Sequence, residues 1–243
     1  MIVNYKINGW EVITQRTHGL LAMQLGSHWR KEERGDRWPE LLIAIADHDD
    51  AHIELERDDL LTVQGGPLDF KMKSFKLEHG LRTMAFALSK SRYIALLCSM
   101  HLAFLAAQTE PEILSVAKFL AAQENMRSIW RHQLKINETD AKADYRLLEW
   151  CDAFSLLICQ RENQPEERWV EISNGPNGNT YSMSQPAPGV LTVEPWPFDV
   201  VAFEVRFERR ELQQLKFRSC EQFKKVFLKA PVKEKIWLIK KSS

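Results

Sequence analysis

The chain has 243 residues, 44% of them apolar and 27% charged, which suffices for a sizeable core and excludes a disordered or collagen-like polymer. Its 33 basic and 33 acidic side chains cancel, so no global field draws it onto nucleic acid or an anionic membrane. A small-molecule substrate or a protein contact remains as the expected partner.

Residues 1–15 alternate apolar and polar side chains and lack the basic and long apolar regions of an export signal, which predicts a cytoplasmic protein. Within them, residues 2–7 and 10–15 flank Asn8-Gly9, a dipeptide suited to a type I′ hairpin turn. Thr17 is placed to cap a helix whose apolar positions Leu21, Leu25 and Trp29 recur every four residues before the charged residues 30–37. Pro39 opens a second helix that carries Leu41, Leu42 and Ile45 and ends at His48-Asp49.

Residues 57–76, broken by Gly65-Gly66-Pro67, read as a long loop and a candidate lid. Helical periodicity returns over residues 77–88, 93–107, 111–134 and 144–161, about six helices in all. The most apolar run, 93–107, is interrupted by His101 and is shorter than the roughly 20 residues of a membrane span, so it reads as a buried helix and no membrane partner is expected. After Pro165, residues 169–172, 180–183, 190–193 and 200–207 are short β-rich runs split by Gly, Pro and Asn; a helix over 219–228 and a strand over 232–239 close the chain. The expected fold class is α+β: a mainly α-helical core over residues 17–162 and an antiparallel β-rich part over 163–243, which the hairpin of residues 1–16 can join.

Several polar side chains fall where the pattern predicts burial. His101 lies in an almost wholly apolar helix, and Asp152 sits mid-helix between Leu148 and Leu156. A buried carboxylate costs on the order of several kcal/mol unless paired or metal-bound. Each residue alone is more simply a hydrogen-bonded core group. Together, imidazole and carboxylate donors in a helical core are the ligand set of Fe, Mn, Ni or Zn. Cys98, Cys151, Cys159 and Cys220 show neither metal spacing nor disulfide density and read as reduced thiols, the apolar ones as packing. His28 and His132 read as solvated, and Trp10, Trp29 and Trp150 as core.

The order His18, His48-Asp49, His79, His101, Asp152 resembles the HD-domain superfamily, over roughly residues 17–160. That resemblance implies an all-α core in which His18, His48, Asp49 and Asp152 hold one metal, with Asp49 bridging to a second metal held by His79 and His101. It implies a metal-dependent phosphohydrolase or phosphodiesterase with one or two transition-metal ions, acting on a nucleotide or other small phosphoester. The same ligand order occurs in HD-type di-iron oxygenases, and a non-enzymatic metal- or ligand-binding module is a third reading. Where many HD phosphodiesterases carry a lysine three residues after the doublet aspartate, this chain has His52. His52 could contact phosphate or act as general acid beside Asp49, or could lie on the surface. Arg82, Lys71 and Lys73 are candidates for contact with an anionic substrate. More closely, Thr17-His18, residues 46–49, Gly66-Pro67-Leu68-Asp69-Phe70, residues 152–159 and Glu194-Pro195-Trp196-Pro197-Phe198 look like the bacterial domain-of-unknown-function family 3891, across nearly the whole chain.

Overall fold

The computed structural model describes residues 1–51, 54–56, 59–107, 114–164 and 166–242. Strands β1 (Ile2–Lys6) and β2 (Gly9–Ile13) form the opening hairpin. Helices α1 (Gln15–Ser27), α2 (Trp38–Asp47), α3 (Leu77–Lys90), α4 (Arg92–Ala107), α5 (Leu114–Leu134) and α6 (Glu138–Gln160) follow. Strands β3 (Val170–Asn174), β4 (Thr180–Ala187), β5 (Val190–Glu194) and β6 (Ala202–Leu212), helix α7 (Cys220–Lys229) and strand β7 (Val232–Lys240) complete the chain. The fold is mixed α and β. Among the described residues, no helix is long and apolar enough to cross a membrane.

The strands make one seven-stranded sheet in the order β1-β2-β6-β7-β5-β4-β3, antiparallel except for β5 beside β7. The hairpin does join the C-terminal strands, because β2 pairs with β6 through Trp10↔Leu212 and Val12↔Arg210. Alternation sends Tyr181, Met183, Leu191, Val193, Val205 and Ile239 to one face, where they share a core with α1, α2, α4 and α6. A second, smaller cluster of Val12, Leu60, Leu212, Phe217, Phe223 and Phe227 seats α7 and the start of the long loop against the hairpin.

The sequence reading needs correction at several boundaries. Thr14, not Thr17, caps α1: its side chain accepts from the Thr17 amide, and the helix ends before Trp29. The hairpin turn is Ile7-Asn8, since Lys6 pairs with Gly9, and neither turn residue has positive φ. Gly9 serves another purpose: a Cβ there would meet the Leu212 carbonyl oxygen at 1.8 Å, so its missing side chain lets β2 lie against β6. Helix α6 begins six residues before the expected position, capped by Asn137 accepting from the Asp140 amide at 2.8 Å. Strand β6 runs through Glu208-Arg209-Arg210-Glu211, beyond the expected end, because those charges are matched. Buried Glu11 accepts from Arg161 at 2.5 Å and from Arg209, while Glu211 accepts from Lys6 at 2.7 Å and Lys233 at 2.6 Å.

The expected lid is largely tied down. Leu60 is buried, the Phe217 amide donates to the Gly65 carbonyl, the Phe70 amide donates to the Met1 carbonyl, and Asp69 accepts from the Val3 amide at 2.8 Å.

Gly9→Ala is expected to destabilise the protein by about 3 kcal/mol, through overpacking against backbone that cannot withdraw. Gly35→Ala, which meets nothing within 4 Å, should stay within about 0.5 kcal/mol of the parent. Urea unfolding of the two variants measures the difference.

Candidate metal centre

Four helices bring the polar residues together. His18 lies in the first turn of α1, His48 caps the C-terminus of α2 with Asp49 following it, His101 lies on α4, and Asp152 sits in the middle of α6. The approach of α1 to α2 depends on Gly19, where a Cβ would meet the Ala46 carbonyl oxygen at 2.4 Å. That contact sits one residue from His18 and two from His48. All six ligand candidates, His79 on α3 included, are buried, with His18 at 0% and His48 at 1% exposure.

Proton positions follow from the partners. Ser155 Oγ donates its only hydrogen to the Asp152 carbonyl at 2.8 Å, so His18 Nδ1, 3.0 Å from the same oxygen, must be the donor to it. His48 Nδ1 likewise donates to the Ile45 carbonyl at 2.7 Å. Both rings thus keep their Nε2 atoms for the interior, and there they face carboxylate oxygens. His18 Nε2 is 3.1 Å from Asp49 Oδ2, and His48 Nε2 is 3.3 Å from Asp152 Oδ1 and 3.7 Å from Asp49 Oδ2.

An imidazole Nε2 this close to a carboxylate oxygen needs a positive charge between or upon them, either a proton on the ring or a metal ion. His48 Nε2 and Asp152 Oδ1 are fully buried and, despite their closeness, do not meet hydrogen-bond geometry with each other or with any other group among the described residues. Donors about 2.0–2.2 Å from one ion lie about 3–3.5 Å from their neighbours, close to the spacings seen. The ligand atoms of His18, His48 and Asp152, and those of His48, Asp49 and His101, each lie within 4.8 Å of one another.

The titration directions show the same demand for positive charge. Burial alone would depress His48, but the charges of Asp152 and Asp49 outweigh it and hold the imidazole above its ordinary range. Burial would raise Asp152, and the neighbouring His48 more than reverses that. His101 goes the other way, down to about 4, through burial and the proximity of His48, which leaves it neutral at pH 7 as a ligand must be. Its Nδ1 is buried without a hydrogen bond.

A cleft of about 330 Å³ opens onto this cluster. Asp49, His79, His101, Asp152 and Gln15 line its inner part, and residues 70–76 form a wall carrying Lys71, Lys73 and Lys76. His79 belongs to neither ligand group and stands at the cleft. Lys71 and Lys73 are cleft residues; Arg82 is not, being paired with Glu78 at 2.7 Å. His52 lies outside the described residues. His132 is exposed, whereas His28, expected in solvent, is half-buried and stacks on Phe203 with ring centroids 3.9 Å apart.

Residues 1–214 match the family described as "Protein of unknown function (DUF3891)". The chain belongs to that family. The match takes in the hairpin, the helical core and every strand except β7. No curated relative and no solved structure matches the chain.

Two residues of the site escaped the sequence reading. Ser155, which fixes the His18 tautomer, lies three residues after Asp152 on the same helical face, a spacing that could have identified it. Gln15, whose Nε2 donates to Asp49 Oδ2 at 2.9 Å, gave no such signal because it precedes the apolar pattern of α1.

The thiols play no part in this geometry. Burial pushes Cys98 up to about 12 and raises Cys151 and Cys159 as well. Native protein treated with a thiol reagent at pH 8 should therefore react at no more than one cysteine, Cys220, with the other three appearing only on unfolding.

Proposed function

We propose that this protein is a metal-dependent hydrolase of a small phosphoester, built on an HD-like arrangement, with His18, His48, Asp49 and Asp152 holding a transition-metal ion. One observation carries the reading: two imidazoles with fixed tautomers aim their Nε2 atoms at two buried carboxylates at the inner end of the cleft. The donor set suits Fe, Mn, Ni or Zn. His101 would complete the coordination or, with Asp49, share a second ion.

A bound divalent ion would supply Lewis acidity and a water of lowered pKa at the inner end of the cleft. The chain supplies the rest. Asp49 and Asp152 balance positive charge, Ser155 and the Ile45 carbonyl hold the two rings in their ligating tautomers, and Gln15 orients Asp49. The cleft admits a small molecule under residues 70–76. Its four free cysteines suit a reducing cytoplasm. An oxygenase built on the same ligands would be marked by iron, a mixed-valence signal and oxygen consumption.

Metal analysis of anaerobically purified protein should find one or two transition-metal ions per chain. Asp152→Asn should lose most of that metal, because the amide is a poorer ligand and offsets no charge, while His132→Ala keeps it. Equal metal content in the two variants contradicts the proposal. Ser155→Ala should weaken metal affinity about 10- to 100-fold, as expected for a hydrogen-bond partner that orients a ligand. Phosphoester cleavage with Mn or Ni under exclusion of oxygen would separate hydrolase from oxygenase.

A further inference from the structure

The wall of the cleft is chemically divided. Lys76 donates to Asp59 at 2.8 Å and Lys71 is 3.8 Å from Glu162, so two of its three lysines already have acidic partners. Lys73 is half-buried in the same wall and, among the described residues, makes no ion pair or side-chain hydrogen bond. A cation held partly out of water without a counter-ion is unfavourable, and in a ligand cleft it is matched when an anion enters. Apart from Ser74, and Asp59 where it meets Lys76, the remaining wall is apolar, formed by the half-buried side chains of Phe70, Phe75, Leu105 and Leu156.

We infer that the substrate is a small phosphate monoester carrying a flat apolar group, its phosphate between Lys73 and the metal centre and its apolar group against Phe70 and Phe75. The inference rests on the metal-dependent hydrolase reading above. A phosphate monoester, with two charges and three terminal oxygens, can meet a bound ion and Lys73 at once, as a carboxylate with one charge and two oxygens does less well. The two phenyl rings and two leucines offer nothing to a hydrated polar body, whereas a flat ring gains by stacking and by leaving water. A cleft of about 330 Å³ limits the whole to a small molecule.

Calorimetric titration of the full chain with phenylphosphonate and methylphosphonate, in manganese-loaded and metal-stripped protein, tests this. Wild-type protein should bind phenylphosphonate more tightly than methylphosphonate. Lys73→Gln should weaken phenylphosphonate about tenfold without changing metal content, as loss of one charge-assisted contact implies, while Lys76→Gln has a smaller effect. Phe75→Ala should remove the preference for phenyl over methyl. Unchanged affinity in Lys73→Gln, or equal affinity of the wild type for both probes, overturns the inference even if the metal is present. A protein that takes up no metal, yet keeps the Lys73 and Phe75 effects in the stripped form, sinks the metal reading and leaves the cleft assignment standing.

Discussion

Two carboxylates and three imidazoles lie within one helical interior, and the cost of holding Asp49 and Asp152 charged there governs the rest of the structure. Removal of a carboxylate from water costs several kcal/mol even after relaxation, on the order of the whole stability of many domains. Such a cost is met only by a cation or by donors aimed at the oxygens. Gln15 donates to Asp49, and among the described residues Asp152 Oδ1 is buried without a hydrogen bond. For Asp152, the positive charge at hand is that of a protonated histidine or of a metal ion. The tautomers imposed by Ser155 and Ile45 leave the lone-pair nitrogens in the position a metal would use.

The surrounding fold can be read as the means of holding that cluster. Gly19 allows α1 to approach the Ala46 carbonyl so closely that His18 and His48 meet edge to face, with centroids 5.1 Å apart. Behind α1 and α6 stands the sheet, and the Glu11 ion cluster ties the hairpin to Arg161 at the end of α6 and to Arg209 on β6. The same hairpin anchors the long loop through Asp69 and Phe70, which sets the position of the cleft wall. Site, sheet and wall are thus connected through the first residues of the chain.

Much of this was legible in the sequence because burial leaves a pattern. An aspartate at 152 and a histidine at 101 stand out only because everything beside them is apolar, and the His48-Asp49 doublet ends an apolar helix. What the pattern missed was polar or long-range. The start of α6 carries Glu138, Asp140 and Lys142, which give no apolar period, so only the Asn137 cap marked it. The last turns of β6 are charged because their partners are Glu11, Lys6 and Lys233, residues far away in sequence. Gly9 was read as turn chemistry, while its reason is the backbone of Leu212 about two hundred positions on. The loop looked like a lid because hydrogen bonds to Phe217, Met1 and Val3 leave no local trace.

The central claim is that a metal ion occupies the space between His48 Nε2 and Asp152 Oδ1. Anomalous X-ray diffraction from crystals of anaerobically purified protein, collected on either side of the absorption edge of the element found, tests it most directly. The account predicts a strong peak about 2.0–2.2 Å from His48 Nε2 and Asp152 Oδ1. A map without a peak there, with His48 and Asp152 instead joined by a direct hydrogen bond, would contradict it.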